Sequence, residues 1–241
     1  MLTLSGGATR RAVSETPPPI LVELFTSQGC SSCPAADRLL SQLAESDSSI
    51  VALAFHVDYW NYIGWTDPFS SSDWSDRQRS YAHELQSNQI YTPQLVVNGR
   101  RHGIGSDRRE LSTMLAQAAT DESAGRLEIE ITESSATSLS LRLLTELEPH
   151  AGSQDLVAWV ALVEDGLETS VGSGENARRT LRNDRVVRRL ERVDWLGKSG
   201  HTAALDIDIE LEWQSDHLSV AAFLQNPDSL HVHAAAAVSL R

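Results

Sequence analysis

The sequence ILVELFTSQGCSSCP occupies residues 20–34 and joins a predicted buried strand to a pair of cysteines. The apolar run at residues 20–25 is typical of a strand that is covered on both faces. A short polar turn then leads to Cys30 and Cys33, the only two cysteines of the chain, where a helix is predicted to begin. Two residues between cysteines allow the sulfurs to form a disulfide or to bind one metal ion.

The position of the cysteines at a helix start favours a reactive thiol. Unpaired backbone N–H groups and the positive end of the helix dipole stabilise a thiolate there, and the thiolate is the nucleophile of disulfide exchange. We therefore predict that Cys30 is the exposed nucleophile. Cys33, nearer the helix body, is predicted to be the covered partner.

Hydrophobic periodicity predicts further elements after the cysteine pair. Helices are expected over residues 34–45, 72–85 and 107–119, and a second buried strand over residues 50–57. A strand at residues 94–97 enters after Pro93 and runs into Asn98-Gly99, a strong hairpin signal. The return strand of this hairpin is expected at residues 101–105.

Aromatic residues are concentrated after the second predicted strand. Tyr59, Trp60 and Trp65 provide surface for stacking. Two interpretations are open, since these rings could cap a hydrophobic core or line a substrate site. With Gln28 in the cysteine turn and Tyr91 beside the Thr-Pro pair, they form the predicted set of substrate-lining residues.

The order of these elements resembles the thioredoxin-like fold, in which a cis-proline loop lies against a cysteine pair. By that resemblance Cys30 and Cys33 match the redox pair and Pro93 matches the cis-proline. Thr92 matches the residue whose backbone pairs with a bound peptide or thiol. These four residues are the predicted catalytic set.

A closer resemblance is to the DUF1223 family of bacterial, usually exported, thioredoxin-like proteins. The stretches LVELFTSQGCSSCP, FHVDYWNYIGW, DPFSSSDWSDRQRSYA and YTPQLVVNG carry it over residues 20–122, and it continues more weakly towards the C-terminus. Many thioredoxins have Gly-Pro where Ser31 and Ser32 stand here. Because the redox potential depends on such local features, the direction of electron flow is left open.

The second half of the chain alternates acidic and apolar residues, as in residues 127–131 and 205–213. This is the period of strands with one solvated face, and four further strands are expected at residues 138–144, 156–163, 218–224 and 232–240. The fold class is therefore predicted to be α/β. We expect a flexible leader at residues 1–19, a thioredoxin-like domain at residues 20–122 and an all-β, sandwich-like domain at residues 125–241.

A basic stripe interrupts the acidic second half. Its arginines recur at helical spacing, although the pattern does not decide between helix and strand, and they are Arg178, Arg182, Arg185, Arg189 and Arg192. The stripe either balances acidic neighbours or docks a partner or an anionic ligand.

Net charge and hydropathy exclude some functions. A formal net charge of -13 argues against general binding to nucleic acid or to anionic membranes. No apolar run reaches transmembrane length, and residues 1–19 contain no apolar core of a secretion signal. The family resemblance nevertheless favours export, so a periplasmic or secreted protein is predicted.

Three hypotheses for function follow. In the first, the chain is a thiol–disulfide oxidoreductase that acts on protein or small-molecule thiols and disulfides, with no cofactor expected. In the second, the cysteines and a histidine such as His56 or His102 bind copper or zinc. In the third, the cysteines form a fixed disulfide in a binding module that is not an enzyme.

Overall fold

The computed structural model describes residues 10–13, 19–121, 125–148, 155–194 and 202–240. Most of the described chain lies in two sheets and three α-helices. The strands of the first half are β1 (Arg10–Val13), β2 (Ile20–Thr26), β3 (Ile50–His56), β4 (Gln94–Val97) and β5 (Arg101–Ile104). The helices are α1 (Cys33–Ser46), α2 (Ser72–Glu84) and α3 (Arg108–Ala118).

The second half contributes strands alone, apart from one short 3-10 turn among the described residues. They are β6 (Gly125–Ser134), β7 (Ser138–Leu147), β8 (Val157–Glu164), β9 (Leu167–Ser170), β10 (Thr180–Asn183), β11 (Val186–Asp194), β12 (Thr202–Asp208), β13 (Leu218–Gln225) and β14 (Val232–Ser239). The basic stripe therefore lies on β10, β11 and the turns beside them, not on a helix. Residues 209–213, predicted to extend a strand, lie beyond the end of β12.

One eight-stranded sheet unites the two halves in the order β14-β13-β8-β11-β3-β2-β4-β5. At its centre β3 pairs in parallel with both β2 and β11, and Val186 lies opposite Ala54. The amide of Ala54 donates to the carbonyl of Arg185 at 2.7 Å. The mixed α/β class and the large sheet are thus established. The predicted boundary between domains includes residues 122–124, which lie outside the described residues, and the division stays a prediction.

The second sheet has the order β1-β6-β7-β12 and packs on the C-terminal strands of the large sheet. Leu127, Ile129 and Leu141 from the small sheet meet Val160 and Val220 from the large one in one buried cluster. This packing is sandwich-like, but the larger layer continues into the N-terminal strands. Residues 10–13, predicted as part of a leader, form β1 and pair with β6.

The helices cover the rest of the large sheet. α1 and α3 pack on Val22, Leu24 and Ala52, while α2 packs on the opposite face against Phe25 and Phe55. Alternate side chains of a strand point to opposite faces, so unbroken apolar strands such as β2 and β3 suit a sheet that is covered on both sides. The hairpin turn is confirmed, because Asn98 and Gly99 both have positive φ, at 48° and 63°.

Candidate functional site

The cysteine pair lies at the carboxyl end of β2, where the chain turns into α1. Cys30 and Cys33 form a disulfide with their Cα atoms 5.4 Å apart. Cys33 is the first residue of α1, and Pro34 follows it in the first turn, where its missing N–H leaves no intrahelical bond unmade. The predicted helix start at the cysteines is confirmed.

The Thr92-Pro93 loop lies directly against the disulfide. The peptide bond between these residues is cis, and the sulfur of Cys30 lies 3.8 Å from the carbonyl oxygen of Thr92. The indole N–H of Trp60 donates to the Thr92 hydroxyl at 2.7 Å. Cys30, Trp60 and the Thr92-Pro93 loop, which are far apart in sequence, therefore meet beyond the carboxyl end of β2.

The prediction that Cys30 is exposed is wrong. Cys30 is 1% exposed and Cys33 is fully buried, although Ser31 and Ser32 between them are exposed. The sequence around the cysteines gave no sign of this, because one of the covering groups comes from the second half of the chain.

That cover is the β9–β10 turn, residues 171–179. Its Asn176 is fully buried and donates from its side-chain amide to the carbonyls of Gln28 and Cys30, each at 2.9 Å. The Arg179 guanidinium donates to the side-chain oxygen of Asn176 at 2.7 Å. This hydrogen bond fixes the orientation of the Asn176 amide. The Glu175 carboxylate accepts from the Ser31 amide at 2.9 Å. The turn is thus bonded to the backbone of residues 27–32, the cysteine loop between β2 and α1.

Two of the predicted substrate-lining residues form the support of this loop. Gln28 is buried, donates to Asn183 at 3.0 Å and accepts from the indole N–H of Trp65 at 3.2 Å. Trp65 is half-buried and packs beside Gly172 and Gly174 of the β9–β10 turn. The Gln28 side chain therefore links the cysteine loop to β10, and Trp65 links it to the β9–β10 turn.

The other three candidates surround the Thr92-Pro93 loop. Trp60 bonds to Thr92, as described above. Tyr59 donates to Gln78 at 3.1 Å, and burial raises the pKa of Tyr59 to about 12. The Tyr91 carbonyl accepts from Gln78 at 2.8 Å, and its hydroxyl lies 3.1 Å from His102. These contacts fix both tyrosines within the protein.

A buried polar cluster lies behind the cysteine loop, and sequence reasoning missed most of it. Asp37 accepts from the Thr26 hydroxyl at 2.7 Å, and His56 lies 2.7 Å from Asp67. The backbone N–H of Gln28 donates to the same Asp67 oxygen at 2.8 Å. One available signal was that β2 and β3 are adjacent parallel strands ending in polar Thr26 and His56. A second was Asp37, one helical turn after Cys33.

Burial and pairing shift the pKa of each titratable group in this cluster. Burial raises the pKa of Asp37 to about 6, although His56 and the Thr26 hydroxyl oppose the shift. Burial alone would lower the pKa of His56, but Asp67 and then Asp37 outweigh it, so that pKa is raised. Burial also opposes ionisation of Asp67, but the nearby His56 holds its pKa below the usual range. These shifts favour the charged forms of His56 and Asp67 and the protonated form of the neighbouring Asp37 carboxyl.

The described residues give little support to a metal site. Among them there is no group of three or more histidine, cysteine or acidic side chains placed to bind an ion. His56 is bonded to Asp67, and His102 lies beside Tyr91 and Gln94.

No helix in the described ranges is long and apolar enough to cross a membrane.

These features define a mixed α/β protein with a covered CxxC disulfide at the start of its first helix. The chain belongs to the DUF1223 family, whose members are described as proteins of unknown function, and the family model matches residues 21–225. The resemblance inferred from the sequence motifs is confirmed.

Two solved structures share the overall fold. A protein from Agrobacterium tumefaciens is 25% identical and has a TM-score of 0.69, with 92% of this chain and 94% of that chain covered. HBP35 of Porphyromonas gingivalis is 10% identical and has a TM-score of 0.67, with 92% of this chain and 74% of that chain covered. None of the curated proteins matches the chain significantly.

Proposed function

We propose that the protein is a thiol–disulfide oxidoreductase whose N-terminal half is a thioredoxin-like unit. The observation that carries this proposal is the contact between the Cys30 sulfur and the Thr92 carbonyl, 3.8 Å apart, beside Pro93. This contact places a backbone acceptor next to the reacting sulfur, where an extended peptide or a thiol compound would pair. The location of the disulfide at the start of α1 supports the same function, because the helix dipole stabilises a thiolate there.

The proposed reaction begins with the attack of a substrate thiolate on the Cys30 sulfur. The Cys30–Cys33 bond breaks, a mixed disulfide with Cys30 forms, and Cys33 leaves as a thiolate that takes up a proton. A second substrate thiolate then attacks the substrate sulfur of the mixed disulfide and releases Cys30. Two thiols are oxidised to a disulfide, and the cysteine pair gains the two electrons. The reverse sequence reduces a substrate disulfide.

The covered sulfurs add a requirement to this reaction. With Cys30 only 1% exposed, the groups that pack around it have to move before a substrate sulfur can approach. A disulfide also persists best in an oxidising compartment. We therefore include a periplasmic or secreted location in the proposal.

The burial of both sulfurs favours a second candidate function, in which the disulfide is a fixed structural link in a binding module. The two functions differ in the redox potential of the pair. A structural disulfide has a potential below about -300 mV, whereas the pair in an oxidoreductase exchanges with glutathione or thioredoxin-like donors.

The test combines a redox titration with trapping of the mixed disulfide. Equilibration in glutathione buffers should give a reversible transition of the 30–33 bond. A Cys33→Ser variant should form a stable mixed disulfide with glutathione through Cys30, while a Cys30→Ser variant should form far less. A bond that stays oxidised at every glutathione ratio, with no adduct on Cys33→Ser, would exclude the oxidoreductase and leave the fixed link.

A further inference from the structure

A concave region lies on the face of the large sheet that carries α2, away from the disulfide. It is a cavity of about 760 Å³ between α2, the strands β8 and β11, and the loop that precedes α2. Cavities that bind small molecules in proteins usually measure roughly 300–1,000 Å³. None of the predicted catalytic or substrate-lining residues is among those that line it.

Large aromatic side chains form much of the wall of this cavity. Phe69, Trp74, Trp159 and Trp213 all line it, and they come from three separate parts of the chain. Aromatic rings provide wide apolar contact with defined geometry, so they favour a flat apolar molecule over a flexible polar one. The shape and composition of the wall therefore point to a planar ligand.

Arg188 supplies a fixed positive charge in the same wall. Its guanidinium stacks on the rings of Phe69 and Trp213, with distances of 5.2 and 5.1 Å to the ring centroids. The side chain is 18% exposed, and its Nε atom lies 3.5 Å from a Glu164 oxygen. Stacking on both rings holds the guanidinium plane in place before any ligand arrives.

The hydrogen-bonding capacity of Arg188 is largely unused. Within the described ranges, its guanidinium makes no hydrogen bond of normal geometry, and the Glu164 oxygen that faces it has no hydrogen-bond partner either. A guanidinium carries five N–H donors in a rigid fork that matches a carboxylate or another oxyanion. Arg188 can therefore bind an acidic group that enters the cavity.

Several other charged groups of the cavity wall are also paired. Arg77 bonds to Glu23 at 2.7 Å and to Tyr81 at 3.0 Å. Arg189 lies 3.8 Å from Glu191 and 3.9 Å from Glu210, so those two acids face a cation. None of these groups is paired with Arg188, and its ion pair with Glu164 at 3.5 Å leaves its N–H donors free to hydrogen-bond a ligand.

We propose that this cavity binds a small molecule with a flat aromatic body and one acidic oxygen group. The body stacks among Trp159, Trp213 and Phe69, and the acidic group accepts hydrogen bonds from Arg188. This proposal does not depend on the proposed redox function, because it uses neither the disulfide nor the Thr92-Pro93 loop.

The test uses two probes that share one aromatic body. These are 8-anilinonaphthalene-1-sulfonate, which carries an acidic group, and N-phenyl-1-naphthylamine, which does not. Binding is followed by probe fluorescence and by energy transfer from tryptophan. The main variant is Arg188→Gln combined with Glu164→Gln, so that no unpaired charge is buried. The matched control is Arg182→Gln, an exposed arginine outside the cavity wall.

The wild-type chain should bind one equivalent of the sulfonate probe. The double variant should weaken this binding by about tenfold while changing the affinity of the neutral probe by less than about twofold. A Ser80→Trp variant should block both probes, because Ser80 is an exposed position of α2 in the cavity wall. Equal loss of both probes in the double variant, full binding to Ser80→Trp, or no binding at all would overturn the proposal.

Discussion

The two faces of strand β2 support buried polar groups of opposite kinds. On the α2 face, Glu23 is completely buried and bonds to Arg77 at 2.7 Å and to the Tyr81 hydroxyl. At the end of the same strand, Thr26 bonds to Asp37 within the cluster behind the cysteine loop. The first group is an ion pair, whereas the second contains the Asp37 carboxyl, whose pKa burial raises to about 6. A buried ion pair therefore anchors α2, whereas the cluster behind the disulfide contains a carboxyl whose pKa is raised.

The ion pair is enclosed by aromatic rings. The Arg77 guanidinium lies 5.2 to 5.6 Å from the ring centroids of Phe55, Tyr81, Trp159 and Phe223. Burial would lower the pKa of Arg77, but the Glu23 carboxylate outweighs it and raises that pKa. The arginine therefore stays charged, and its removal leaves a buried carboxylate with no countercharge.

The largest expected effect is on Arg77. Arg77→Met should lower the free energy of unfolding by about 3–5 kcal/mol, since Glu23 loses its partner in the sheet. Arg79→Met on the same helix removes an exposed ion pair with Asp76 and should cost less than about 1 kcal/mol. Urea denaturation of both variants measures the difference. Equal losses would show that the buried pair is no more important than the exposed one.

The second prediction concerns Asp37 and pH. Its folded-state pKa of about 6 lies above the ordinary value of 3.8. Between these two pH values the folded state therefore holds a proton that the unfolded state has released. The contribution of Asp37 to the free energy of unfolding is fully present below pH 3.8 and is lost as the pH rises through about 6. Asp37→Asn should therefore match the wild type near pH 3.5 and be more stable by about 2–3 kcal/mol at pH 8.

Urea denaturation at both pH values tests this prediction. Asp47→Asn is the control, because Asp47 is exposed and the Ser49 hydroxyl and then the Ser49 amide hold its pKa below the ordinary value. Its contribution has the opposite sign, being present above pH 3.8 and lost as pH falls. A stability difference between Asp37→Asn and the wild type that does not change with pH would contradict the assignment.

The smallest expected effect on stability is at the turn that covers the disulfide. Asn176→Ala removes two hydrogen bonds to the cysteine loop and should lower the free energy of unfolding by about 1–2 kcal/mol. It should also speed reduction of the disulfide by a phosphine reductant about tenfold, because local opening becomes easier. Ala177→Ser in the same turn serves as the control. A reduction rate equal to that of the wild type would show that the β9–β10 turn does not limit access.

Local patterns predicted much of the first half of the fold. The apolar runs of β2 and β3, the periodicity of α1 and the Asn98-Gly99 hairpin depend on neighbouring residues, and the structure contains all four. Local patterns could not predict how the strands of the second half pack against the first half. The pairing of β11 with β3 and the bonds of Asn176 to the cysteine loop join residues far apart in the chain. The exposure of Cys30 was therefore predicted wrongly, although the predicted residues Cys30, Trp60 and Thr92 do lie close together.

The parallel pairing of β3 with β11 has a consequence for dissecting the protein. A fragment that stops at residue 121 would lack β11, so β3 would become an edge strand, and apolar side chains that pack against β8, β11 and β13 in the whole chain would lose those contacts. Open strand edges of this kind recruit other chains. We expect such a fragment to aggregate, so the chemistry of the cysteines has to be measured on the whole chain.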